Sequence, residues 1–272
     1  MQGLKEFIPT EIKVRYINLL LQAGFDTLDF GSFVSPKAIP QMRDTTDVLA
    51  QLDLSATATK LLAIVANSRG AEEAAQFPEI DYLGYPFSIS ETFQLRNTNA
   101  TIEESLERVQ QIQDICLAKD KKLTLYISMG FGNPYGDPWN VEIVQQWVDR
   151  LRDMGIGIFQ LSDTIGVASP ESIRYLFSHL LDQYQDVEIG GHFHTVPNLW
   201  EEKIIAAYET GCRRFDGAIK GFGGCPMAKD DLVGNMPTEN MLRFFAEKNE
   251  TTGVDLSIFN QAMEMAGEVF PH

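Results

Sequence analysis

Gly190-Gly191-His192-Phe193-His194 carries the most pointed chemical signal in the chain. In an extended strand, side chains two residues apart leave the backbone on the same side. Two imidazoles so placed can face a single metal ion. Two of the four histidines stand here, and the glycines before them allow close approach of backbone or ligand. The competing reading is a pair of hydrogen-bonded histidines near a strand end. A second signal is Gly221-Phe222-Gly223-Gly224-Cys225-Pro226. Three glycines ahead of a cysteine predict a mobile loop able to close over a site. A thiol there serves as acid, base or nucleophile if its pKa is tuned, or else marks a tight connection. Asp163-Thr164-Ile165-Gly166 offers a carboxylate at a strand end, as a general base or as a turn cap. Asp29-Phe30-Gly31-Ser32 is a weaker version of the same pattern. Gly234-Asn235 offers an amide ligand with Thr238-Glu239 after it, where helix capping is the default reading.

These residues need elements to hold them. β-type runs are predicted at Thr27–Phe30, Leu61–Ala66, Tyr82–Phe87, Leu123–Met129, Ile156–Leu161, Val187–His192 and Arg213–Ala218. Helical periodicity is predicted over Pro9–Leu21, Thr101–Lys119, Val141–Met154, Pro170–Tyr184 and Leu199–Thr210. Thr101 and Glu104 fit a capping box. Gly24, Gly155 and Gly211 each follow a helix and precede an apolar run, which predicts left-handed helix stops. Such alternation implies a parallel sheet with helical cover. Asp29, Asn67, Ser128, Asp163, His192 and His194 all fall at or just past predicted strand ends, and polar groups from many strand ends converge only in a closed barrel. No Gly-x-Gly-x-x-Gly follows an early strand, which argues against a dinucleotide fold. The expected fold is therefore α/β, a (β/α)8 barrel forming a single domain over residues 1–272. A strand is wanted before the first helix, and the sequence from Met1 supplies none.

Composition narrows the partners. Lys plus Arg is 22 against 38 Asp plus Glu, a formal net charge of −16. Nucleic acid and anionic membrane both want basic patches, so neither is expected as a partner. No apolar run approaches the ~20 residues of a membrane-spanning helix. Three cysteines, Cys116, Cys212 and Cys225, cannot build a disulfide framework and fit a reducing, cytoplasmic setting. Cys116 and Cys212 are expected to be inert core residues.

Taken in order, these segments resemble the hydroxymethylglutaryl-coenzyme A lyases, a metal-dependent branch of the TIM barrels. The matching stretches are Ser32-Phe33-Val34-Ser35-Pro36-Lys37 with Pro40-Gln41-Met42, Asp163-Thr164-Ile165-Gly166-Val167, His192-Phe193-His194, the Gly221–Pro226 loop, and Gly234-Asn235 with Thr238-Glu239. The resemblance implies a divalent cation, Mg²⁺ or Mn²⁺, on His192, His194 and Asn235. It implies a retro-aldol cleavage of 3-hydroxy-3-methylglutaryl-CoA to acetoacetate and acetyl-CoA, as in leucine degradation. His192 and Asp163 would handle protons, Cys225 would assist transfer to the leaving carbanion, Asp29 would stand in place of a family glutamate, and Glu239 would support the ligands from behind. The expected partner is an acyl-CoA substrate, with a homodimer as an open assembly.

Four departures accompany the resemblance. The family's first strand ends in an Arg-Asp pair that has no counterpart here, so the chain is expected to lack that strand and to have little activity. Thr195 replaces an aspartate or asparagine, Asp29 is shorter than glutamate, and Cys225 to Asn235 is one residue longer than usual and acidic. Two other readings stay open: an inactive barrel fragment, and a related aldol lyase or condensing enzyme acting on another acyl-CoA or a 2-oxo acid.

Overall fold

A computed structural model describes residues 1–4, 6–224 and 233–270. The first half runs α1 (Thr10–Ala23), β1 (Thr27–Ser32), α2 (Thr45–Leu49), β2 (Lys60–Ile64), α3 (Ser68–Ala74), β3 (Ile80–Ser88), α4 (Glu91–Thr98), α5 (Ile102–Ala118) and β4 (Lys122–Ser128). The second half runs α6 (Val141–Asp153), β5 (Ile158–Asp163), α7 (Pro170–Gln183), β6 (Glu188–Thr195), α8 (Trp200–Glu209), β7 (Phe215–Asp216), β8 (Gly234–Asn235), α9 (Thr238–Glu247) and α10 (Leu256–Val269). Local chemistry sets the boundaries. Thr101 and Glu104 form both halves of the capping box that starts α5. The three helix-stop glycines adopt φ of +82°, +85° and +100° at Gly24, Gly155 and Gly211.

The sheet is the expected α/β barrel wall. Its strands are parallel and ordered β1-β2-β3-β4-β5-β6-β7. Among the described residues, no pairing joins β7 to β1, so the sheet is open between Asp29 and Asp216. The helical layer closes where the strands do not. Tyr16, Leu20 and Ala23 of α1 pack in one cluster with Phe259, Ala262 and Ala266 of α10, and the Asp255 amide donates to the Ala23 carbonyl oxygen at 2.8 Å.

Several details differ from expectation. β7 is two residues long rather than the run Arg213–Ala218. Asn67, expected to point into the mouth, instead caps α3 by accepting from the Gly70 amide at 3.0 Å. β8, invisible to periodicity, pairs antiparallel with β6 and sets Asn235 opposite His194. Neither Asn235 nor Thr238 caps α9, which begins after Pro237 without a side-chain cap. No helix among the described residues is long and apolar enough to cross a membrane.

Parity decides what faces the barrel interior. Outward side chains such as Leu83, Tyr85, Leu125, Phe159 and Leu161 join the main apolar core under the helices. The alternate positions Leu62, Gly84, Tyr126, Gln160 and Gly190 therefore face inward. In β1 a bulge between Asp29 and Gly31 adds Phe30, which is buried in the outer core. Asp29 pairs with inward Leu62, while Gly31 pairs with outward Ala63 and backs onto Thr45.

Candidate active site

β6 delivers the histidine pair to one place. The ring centroids of His192 and His194 lie 5.2 Å apart at 64°. His194 is buried, and its Nδ1 donates to the Thr164 carbonyl oxygen at 2.8 Å. A carbonyl oxygen only accepts, so Nε2 carries the lone pair. Burial, then the neighbouring His192, pushes the His194 pKa down to about 4, with the Asn235 amide pulling the other way. The imidazole therefore stays neutral, as a metal ligand must. The Asn235 amide nitrogen donates to the Phe222 carbonyl oxygen at 2.9 Å, which leaves its oxygen as the free acceptor. The β6–β8 register sets Asn235 opposite His194, so the Nε2 lone pair and the amide oxygen are both left for a cation to satisfy. His192 is about a quarter exposed, and its Nδ1 lies 3.3 Å from Asp216 Oδ2. The fit to a divalent cation rests on this nitrogen–nitrogen–oxygen set. Among the described residues, no group of three His, Cys, Asp or Glu could hold one.

Asp163 has surroundings unlike those of a free base. Its Oδ2 accepts from Lys203 Nζ at 2.6 Å and its Oδ1 from the Ala168 amide at 3.0 Å. Both side chains of the ion pair are fully enclosed, at 2% and 0% exposure. Burial raises the Asp163 pKa, and Lys203 opposes the rise. Lys203 also donates to the carbonyl oxygens of Gly166 at 3.0 Å and His194 at 2.9 Å. The turn carbonyls Thr164 and Gly166 are thereby tied to His194, and Thr164 Oγ1 accepts from the Met129 amide at 2.8 Å. Asp163, expected to handle a proton, has both carboxylate oxygens engaged away from solvent and anchors the turn that follows it.

Asp29 stands on the open side. Solvent reaches it, yet crowding by the barrel wall, followed by repulsion from Asp216, raises its pKa to about 7. The Met1 amine and His192 pull it back, as does the Gly31 amide. Glu239, at the start of α9, accepts from the Lys220 amide at 2.9 Å and braces the strand-to-loop segment leading to Gly221. Cys225 lies outside the described residues. Cys116 and Cys212 are buried and free, with thiols pushed up to about 12 by burial, as expected for inert core residues.

Lys203, Asp216, Gln160 and Tyr126 were not singled out by sequence. Asp216 follows Phe215 at the end of β7, where its position in line with the other strand-end carboxylates was a usable signal. Tyr126 meets His192 edge-on at 5.4 Å.

A family model described as HMGL-like matches residues 1–266. The 3-hydroxy-3-methylglutaryl-CoA lyase, cytoplasmic, of Danio rerio is 33% identical over 258 residues, spanning 94% of this chain and 76% of that protein. Hydroxymethylglutaryl-CoA lyase YngG of Bacillus subtilis (strain 168) is 32% identical over 256 residues, 94% and 85% of the two chains. Among solved structures, an HMG-CoA lyase from Acenitobacter baumannii in complex with coenzyme A and 3-methylmalate superposes with a TM-score of 0.92 at 30% identity, covering 100% of this chain and 88% of that one. A carboxyl transferase domain of Rhizobium etli pyruvate carboxylase, TM-score 0.70 at 14% identity, shares the fold alone. With the model match running nearly end to end and the barrel superposing on the lyases throughout, the chain belongs to the HMGL-like family and is a carbon–carbon lyase of the hydroxymethylglutaryl-CoA lyase type.

Proposed function

We propose that this protein cleaves 3-hydroxy-3-methylglutaryl-CoA to acetoacetate and acetyl-CoA, with Mg²⁺ or Mn²⁺ held by His192, His194 and Asn235. The observation that carries the reading is the meeting of His194 and Asn235 across the β6–β8 pairing, with His192 beside them. The bound coenzyme A of the Acenitobacter relative supports an acyl-CoA substrate. When bound, the cation supplies Lewis acidity that lowers the cost of an alkoxide at the substrate's tertiary hydroxyl. A cytoplasmic setting is supported by the cytoplasmic lyases of Danio rerio and Rattus norvegicus, and a part in leucine degradation is what the family resemblance implies.

The residues divide the remaining work. His192 has Nδ1 on Asp216, so one nitrogen is left to face the substrate. That nitrogen can hold a cation or a proton, not both, and the proton duty moves to Asp29. With its pKa at about 7, the Asp29 carboxylate accepts the hydroxyl proton near neutral pH. The C2–C3 bond then breaks, its electron pair passes into the thioester enolate, and the enolate carbon takes a proton from the Cys225 thiol. Asp163 holds the 163–166 turn, and with it His194, in place. Glu239 steadies the loop leading to Cys225.

The test is direct. The purified chain with Mn²⁺ should release acetyl-CoA and acetoacetate from 3-hydroxy-3-methylglutaryl-CoA slowly, at the low rate expected without the Arg-Asp pair, detected by mass spectrometry. Chelation and His194→Ala should each abolish release, and Cys225→Ser should lower turnover far more than stability. No release with the metal present, alongside release from another 3-hydroxyacyl-CoA in a parallel panel, overturns the substrate. No release from any acyl-CoA overturns the activity.

A further inference from the structure

Behind His192, the inward face of the barrel carries a polar file that reaches back through Asp216 to Gln160. Gln160 of β5 is fully buried, and its Nε2 donates to Asp216 Oδ1 at 3.0 Å. The second oxygen of Asp216 faces His192 Nδ1 at 3.3 Å. To reach β7 from β5, the Gln160 amide must cross β6, which lies between them. It crosses at Gly190. A Cβ there would come within 2.2 Å of Gln160 Oε1 and 2.9 Å of Arg214 Cγ. Any larger residue at 190 therefore blocks the passage. The glycine two residues before His192 has a physical reason that is separate from ligand access.

The file runs in one direction. An amide N–H donates to a carboxylate, and that carboxylate accepts from an imidazole N–H. We infer that Gln160 and Asp216 are positioning residues that fix the tautomer of His192, holding the proton on Nδ1 so that Nε2 presents its lone pair to the mouth of the barrel. This rests on the reading of His192 as a cation ligand only for its effect on affinity; the tautomer itself is a property of the metal-free chain. Carboxylates behind metal-binding imidazoles act in this way, and their loss typically lowers affinity by about 10–100-fold.

Polarity gives a sharp test. In Asp216→Asn the Gln160 amide, whose Oε1 has no partner among the described residues, can flip and preserve the wild-type polarity, so the deciding single variant is Asp216→Leu. There nothing accepts from Nδ1–H, and His192 carries its proton mainly on Nε2. Nitrogen-15 spectra of the imidazoles, recorded on chelator-treated protein at about pH 8 where free histidine is neutral, should show this inversion for His192 and no change for His194. Mn²⁺ affinity, read by electron paramagnetic resonance on the full chain, should fall about 10–100-fold. Adding Gln160→Glu to Asp216→Asn reverses the file: the carboxylate introduced on β5 accepts from the asparagine NH₂, and the asparagine oxygen again accepts from Nδ1. The double variant should keep both the tautomer and the affinity that Asp216→Leu loses, a contrast that loss of packing cannot produce. Gly190→Ala, which touches neither histidine, should displace Gln160 and leave His192 as a mixture of tautomers. An uninverted His192 in folded Asp216→Leu, or no mixture in folded Gly190→Ala, overturns the inference. If wild type and His194→Ala bind Mn²⁺ alike, the metal reading fails, and the spectra still decide the role of Asp216.

Discussion

The two sides of the barrel mouth are held in opposite ways. On the β5–β6 side, Lys203, Asp163, Thr164 and the His194 backbone form a dry knot in which Lys203 alone donates to three oxygens. On the β1–β7 side, Asp29 and Asp216 face each other across an open sheet edge, partly reached by solvent, with the Asp29 proton held near neutrality. A buried ion pair fixes shape but exchanges protons poorly, since either partner alone is a costly charge. A solvent-reached carboxylate beside a second carboxylate is easily protonated and released. Under the proposed reaction, the knot positions ligands and the open edge moves the proton.

That division is most severely tried by breaking the knot. Lys203→Met strands the Asp163 carboxylate in a dry site and should cost about 3–5 kcal/mol, read as a lower urea midpoint. Adding Asp163→Asn removes the stranded charge and should recover most of the loss. If the single variant is as stable as wild type, the knot does not hold the turn.

The open edge is tested next, by pH. A carboxyl whose folded pKa is raised binds its proton more tightly when folded. Its contribution to stability is complete below the ordinary value of 3.8 and is lost as pH rises through about 7. Asp29→Asn should flatten that decline in the stability–pH curve and lower turnover by about 10²–10⁴-fold, the usual span for a general base. A slope identical to wild type would remove Asp29 from the proton step.

The smallest effect comes from an exposed pair. Arg152 and Asp186 approach to 2.7 Å but are 39% and 57% exposed. Arg152→Ala should cost under about 1 kcal/mol and shrink further with added salt. A loss equal to that of Lys203→Met would erase the contrast between dry and wet pairs.

The alternation of strands and helices was legible because each strand is apolar on its outer face and each helix carries an inner stripe. The His192–His194 geometry was legible because strand parity is simple. Lys203 was not. It sits in Trp200-Glu201-Glu202-Lys203, a stretch that looks solvated, yet it falls on the buried stripe with Trp200, Ile204 and Ala207. Lys13, paired with Asp44 at 2.6 Å, hides in the same way beside Tyr16, Ile17 and Leu20. A lysine at an inner-stripe position is the signal in both cases. Asp29 was seen, but not its crowding by Asp216, because the bulge at Phe30 breaks simple alternation. β8 has two residues and no period, so the partner of His194 could be named only by resemblance.

The brevity of β8 has a thermal consequence. Its hold on β6 is two register pairs, whereas β5 and β6 share six. Short pairings open locally at free energies well below that of global unfolding. Opening β8 parts Asn235 from His194 while the parallel wall stays intact. Heating should therefore inactivate the protein before it melts, with catalysis disappearing while the far-ultraviolet circular dichroism is still native. A tightly bound cation should narrow that interval, because it binds only the closed form.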